Sequence, residues 1–211
     1  MNEISTNIKT TSTNRLRQWL FNPFRVVAGY KALLLGLAII LISALVGSLS
    51  NTHFDGVLDV HTGTEAPLWL FFAEGLINWI CMVVPLFFFG LIVSRSSFRA
   101  IDVLGTQALA RSPYLITALA MLPDANRRIG EYLIAKFTQT APTATINYID
   151  ILVFMLAMVF TILMTVWMVA LMYRAYCVSC NIKGARAIGT FIVSLIGAEV
   201  LSKFAILRLA V

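Results

Sequence analysis

Four stretches of this 211-residue chain run for 18 to 27 residues with hardly a charge in them. Residues 32–49 and 151–173 carry none. Residues 67–93 hold only Glu74, and residues 187–206 hold Glu199 and Lys203. A helix rises about 1.5 Å per residue, so about 20 apolar residues cross the roughly 30 Å of a bilayer's hydrocarbon. In lipid every backbone amide needs a partner within the segment, which makes such runs helices. Barrel strands alternate over about ten residues and do not fit. The composition agrees: 59% of the residues are apolar and 12% charged, against a charged share of about 25% in soluble domains. One soluble core of this size cannot hide so much apolar surface, and disordered chains are poor in it. The expected fold class is an all-α, polytopic membrane helix bundle.

A fifth segment, 101–122, is long enough to cross but holds Asp102, Gln107, Arg111 and Pro113. Pro113 removes a helical hydrogen bond and kinks the chain. The expectation is five transmembrane helices, with four plus a re-entrant third segment as the alternative. Thirty-one residues precede the first run, more than a signal peptide's n-region, so a cleaved leader is not expected there.

Lys and Arg collect in cytoplasmic loops. The N-terminal tail holds Lys9, Arg15, Arg17, Arg25 and Lys31, whereas residues 50–66 hold Asp55, Asp59 and Glu65 and no basic residue. The tail is therefore expected inside and that loop outside. Beyond Arg99 the charge rule mildly favours four spans, while hydropathy allows five. Residues 1–31 form a basic cytoplasmic tail with an interfacial segment, and residues 32–211 form the membrane domain.

Several local features resemble the Yip family. Ser97-Phe98-Arg99 precedes the third segment, and Gly105 followed by Arg111-Ser112-Pro113-Tyr114-Leu115 is similar to that family's third-span signature. Two more closely spaced spans follow, joined by a short basic loop. The resemblance runs from about Asn22 to the C-terminus. It implies five packed spans, a cytoplasmic N-terminus, a C-terminus outside, and a scaffold or interaction role without catalysis. Eukaryotic members bind Rab-type GTPases through a longer cytoplasmic region. The short tail looks more like that of prokaryotic members, which implies the prokaryotic cytoplasmic membrane.

Arg15, Arg17 and Arg25 interleave with Trp19, Leu20, Phe21 and Phe24. Basic and aromatic residues beside a span suit the headgroup layer and make a candidate docking surface. The expected partner is the lipid bilayer, with other membrane or cytoplasmic proteins as candidates. Nucleic acid is not expected, because arginines beside a membrane meet anionic lipid first. Residues 123–138 open with Asp124 as a candidate N-cap, and Ile129, Tyr132, Leu133 and Phe137 recur at helical spacing. That pattern predicts an amphipathic helix resting on the membrane.

The candidate site is an intramembrane polar cluster of Glu74, Asn78, Arg111, Glu199 and Lys203. Glu74 and Asn78 share one face of the second span at i and i+4, and Gln107, Arg111 and Tyr114 share a face of the third. Counted along the helices, Arg111 lies about 15 Å deep, Glu74 about 10 Å and Glu199 about 18 Å. Ionisable groups at such depth are costly and pair with one another or face water. Arg111 is expected to pair with Glu74 or Glu199 and lock the helices, unless Glu199 pairs with Lys203 four residues on. A small transporter or channel component that uses Glu74, Arg111 and Glu199 is the alternative function.

Cys177 and Cys180 have the spacing of a redox dithiol or half a zinc site. No second Cys pair exists, and His53 and His61 fall on the other side in the five-span arrangement, so neither a metal nor a cofactor is expected. His53, Asp55, Asp59, His61 and Glu65 read as a solvated acidic loop. No phosphate-binding loop, zinc-protease or nucleophile-elbow motif occurs, and an enzyme is not expected.

Overall fold

The computed structural model describes residues 18–63, 65–140 and 145–209. Arg15 and Arg17 lie outside the described residues. A short 3-10 turn at Pro23–Arg25 leads into α1 (Gly29–Leu49). A small antiparallel hairpin follows, β1 (Thr52–His53) and β2 (His61–Thr62). Then come α2 (Leu68–Val93), α3 (Ala100–Ala110), α4 (Ser112–Ala120), α5 (Asp124–Phe137), α6 (Tyr148–Ser179) and α7 (Ala185–Leu209). In the hairpin Thr52 faces Thr62 and His53 faces His61. Four helices, α1, α2, α6 and α7, are long and apolar enough to cross a membrane. The chain is an all-α integral membrane protein.

On α1 most large apolar side chains point out of the bundle and small ones point in. On α1 the buried residues are Gly29, Ala32, Gly36, Ile40, Ser43, Ala44 and Gly47. The exposed ones include Leu34, Leu35, Leu41, Ile42 and Leu45. Lipid is as apolar as leucine, so membrane helices gain their packing from small residues that let backbones approach closely. Gly36 sits so close to the third segment that an added Cβ would lie 2.4 Å from Leu109 N. An added Cβ at Gly105 would lie 2.5 Å from Gly29 O.

The segment 101–122 is two helices, α3 and α4, joined at Arg111 (φ −81°, ψ 2°). Pro113, in the first turn of α4, has no N–H with which to continue the α3 ladder. The segment is enclosed by α1, α2 and α6. Val103, Thr106, Gln107, Ala108, Arg111, Tyr114 and Thr117 are all buried. Its low hydropathy follows from this place, because its side chains meet protein where those of the four long helices meet lipid. Thr106 Oγ1 lies 2.7 Å from Ser179 Oγ at the end of α6. Toward the other end, Tyr114 OH donates to Val57 O in the hairpin at 2.8 Å. The two short helices therefore run from the end of the bundle that holds the turns 94–99 and 180–184 to the end that carries the hairpin.

Those two turns are bonded together. Ser94 Oγ donates to Cys180 O at 2.7 Å, and Asn181 Nδ2 donates to Ser96 Oγ at 3.2 Å. At the hairpin end, α5 packs against α6 and β2. Pro123, where Asp124 is expected, occupies the N-cap of α5. Its inward face is Ala125, Asn126, Ile129 and Gly130, while Phe137 stands free. Gly130 selects that face, since a Cβ there would meet Thr62 Oγ1 at 2.6 Å. Asn147 and Asp150 form a capping box at the start of α6, and Asp150 also accepts from Arg128 of α5.

Candidate functional site

The polar side chains of the spans converge beneath the hairpin. Glu74, on α2, is 2% exposed. Its Oε1 accepts from His53 Nδ1 at 2.7 Å and its Oε2 from Phe54 N at 3.0 Å. One turn further on, Asn78 Nδ2 donates to Phe54 O. The i, i+4 pair thus grips both the N–H and the C=O of one residue, as a neighbouring strand would. A buried carboxylate costs several kcal/mol of desolvation unless its oxygens are matched, and the hairpin supplies that match.

The hairpin is held from two further sides. The Phe54 ring lies 4.7 Å from the Tyr114 ring of α4, whose hydroxyl holds Val57 O. On α7, Glu199 Oε2 accepts from Leu58 N at 2.8 Å. Lys203, one turn on, pairs with Asp59 and lies 3.9 Å from Glu199 Oε1. Helices α2, α4 and α7 therefore each hold main-chain groups of residues 54–58. His53 stacks on Phe71 of α2 at 4.5 Å and on His61 at 5.7 Å.

Arg111 pairs with neither expected carboxylate. Its Nη2 donates to Asn78 O at 2.7 Å. Its guanidinium carbon stands 6.0 Å from the centre of the Tyr114 ring. Its Nε has no partner among the described residues. Both acids are already committed to backbone N–H groups of the hairpin, which explains why the arginine turns to a carbonyl. The cavity beside it, lined by Ile40, Ser43, Ala44, Phe71, Asn78 and Arg111, measures about 20 Å³, room for about one water. Gln107 also turns to a carbonyl and donates from Nε2 to Met172 O of α6 at 3.0 Å.

In the outer part of the hairpin the donor atoms of Asp55, Asp59 and His61 lie within 4.8 Å of one another. These three could hold a cation, but the Lys203 ammonium already balances Asp59. Asp55 Oδ1 lies 3.4 Å from His61 Nδ1. Hydrogen bonding to Asp55 holds the His61 imidazole above its ordinary value, against the cost of burial. The reciprocal contact holds Asp55 below the ordinary carboxylate value. His53 belongs instead to Glu74.

Of the docking residues, Trp19 and Arg25 are exposed. Trp167 Nε1 donates to Leu20 O at 3.0 Å and fastens this segment to α6. Cys177 and Cys180 are free thiols. Burial pushes the Cys180 thiol up to about 12, which disfavours the thiolate that redox chemistry uses. Glu74, Asn78, Tyr114 and Glu199 each bond a backbone group of the hairpin, and such partners leave no residue-type signal in a sequence.

No protein-family model matches this chain, and searches of the curated proteins and of the solved structures return no match either.

Proposed function

We propose that the chain is a non-catalytic membrane scaffold of the Yip-like class, crossing the bilayer five times. Its N-terminal tail lies in the cytoplasm and its basic cytoplasmic surfaces dock partners. The membrane is the cytoplasmic membrane of a prokaryote. The observation that carries the scaffold reading is the use of the two acids of α2 and α7. Glu74 Oε2 and Glu199 Oε2 each accept from a backbone N–H of the hairpin, and Glu74 Oε1 is held by His53 Nδ1. A solute or proton path needs ionisable groups open to water, and Glu74 is closed off from it at 2% exposure. The fifth crossing is supported by the run of α3 and α4 from one end of the bundle to the other, residues 100–120, about 30 Å at about 1.5 Å per residue. Without this crossing, the hairpin and the end of α7 cannot lie on one side while the turns 94–99 and 180–184 lie on the other.

Reporters fused at the two termini test the topology. Five crossings place them on opposite sides of the membrane, and reporters on the same side would overturn that count. The role is tested by reconstituting the purified chain in liposomes and measuring proton and ion leak. A scaffold adds none above protein-free vesicles, and Arg111→Ala lowers abundance only. A leak that Glu74→Gln abolishes at normal abundance would replace the scaffold with the transporter.

A further inference from the structure

A second polar site lies at the opposite end of the bundle from the hairpin. Residues 18–25 lie against α6 and leave a cleft of about 600 Å³ lined by Gln18, Asn22, Arg25, Trp167 and Arg174, among others. The cleft is preformed. Trp167 Nε1 holds Leu20 O, Asn22 N donates to Gln18 O at 2.8 Å, and Phe24 is buried in the core. Arg25 and Arg174 are both exposed, and neither forms an ion pair with a described residue. Asn22 Oδ1 is buried and accepts from no described residue.

Depth identifies what meets these groups. Arg174 is the first residue after the uncharged run 151–173, and Arg25 precedes the uncharged run 32–49. Both charges therefore stand just past the hydrocarbon, at headgroup level, on the same side of the bundle. In the turn before Trp167, α6 offers exposed apolar surface at Leu163 and Val166, along which an acyl chain can lie. Two guanidiniums without an ion-pair partner among the described residues suit a phosphodiester, since arginine matches phosphate oxygens with paired donors. Asn22 Oδ1 needs a donor, which a headgroup hydroxyl supplies. Basic pockets beside membrane helices bind anionic headgroups in this way.

We propose that the cleft between residues 18–25 and α6 is a binding site for one anionic, hydroxyl-bearing phospholipid headgroup. This proposal rests on the reading that the chain crosses the bilayer and goes beyond its scaffold role. The bound lipid fixes the segment that leads into the cytoplasmic tail.

The test reconstitutes the full chain in nanodiscs of equal phosphatidylglycerol and phosphatidylcholine and releases it for native mass spectrometry. The expected result is one retained phosphatidylglycerol, preferred roughly tenfold over phosphatidylcholine. The double variant Arg25→Gln/Arg174→Gln brings the two lipids to parity. Lys183→Gln/Arg186→Gln, which removes the same charge from the same end, leaves the preference intact. Parity in the unsubstituted chain would overturn the proposal, whatever the variants do. Equal loss in both double variants would also overturn it, by showing general attraction in place of a site. A chain that never enters the discs and stays in solution without detergent would overturn the membrane reading itself.

Discussion

His53 Nδ1 and Glu74 Oε1 meet at 2.7 Å across 21 residues of sequence. The contact fastens a two-stranded hairpin to a helix that is otherwise apolar on nearly every face. A two-stranded hairpin alone is marginal in water. This one is stable because Glu74, Asn78, Tyr114 and Glu199 complete its main-chain hydrogen bonds.

Glu74→Ala removes the carboxylate that holds His53 Nδ1 and leaves the buried Phe54 N–H without its acceptor. Leaving a buried donor unsatisfied costs about 1–3 kcal/mol. The expected outcome is a large drop in the thermal midpoint in detergent, together with new protease cleavage at residues 54–60. Glu74→Gln keeps one acceptor and should lose clearly less. Equal midpoints for the unsubstituted and alanine chains would show that the hairpin does not depend on this carboxylate.

The packing of α1 on the third segment depends on missing side chains. Gly36→Ala or Gly105→Ala drives a methyl into opposing backbone, which cannot rotate away. Overpacking of this kind costs about 1–3 kcal/mol. Gly189 and Gly197 of α7 have open space around them. Alanine at either one is neutral or gains up to about 1 kcal/mol in helix propensity. Thermal midpoints of the four single variants check this contrast, and a ranking with the α7 variants as the weaker pair would refute it.

The Asp55–His61 pair makes hairpin stability depend on pH on both sides. The His61 value is raised, so its contribution is complete below the unfolded histidine value, about 6.5. It is lost as pH rises through the higher folded value. The Asp55 value is lowered, so its contribution is complete above the unfolded value of about 3.9. It is lost as pH falls through the lower folded value. The pair therefore contributes most between about pH 4 and 6.5. His61 is 47% exposed in its side chain, so solvent screening keeps the gain below about 1 kcal/mol. The midpoint difference between the unsubstituted chain and His61→Asn should trace a shallow bell against pH. A flat difference would remove the pair from the stability of the hairpin.

Cys180 is buried and its thiol is held up to about 12. Maleimide at neutral pH should leave it unmodified in the folded protein and label it on unfolding, with peptide mass spectrometry reading the site. A Cys177→Ser/Cys180→Ser variant keeps normal abundance and stability within about 1 kcal/mol. Rapid labelling of Cys180 in the folded chain would contradict its burial.

The four lipid-facing helices could be read directly from the sequence, since hydrocarbon imposes both their length and their uniform apolarity. The polar residues that face one another along α2 could also be read, because helical periodicity puts Glu74 and Asn78 on one side. The place of 101–122 could not. A segment wrapped in protein escapes the hydropathy rule, so Gln107 and Arg111 made it look weak when it is the most enclosed part of the bundle. The partners of the charges could not be read either. Charge sign matches Arg111 with Glu74 or Glu199, yet the fold gives those acids the amides of Phe54 and Leu58 and gives Arg111 the carbonyl of Asn78. Every residue carries those main-chain groups, so only the folding of the hairpin onto the helix ends decides which ones a buried charge meets.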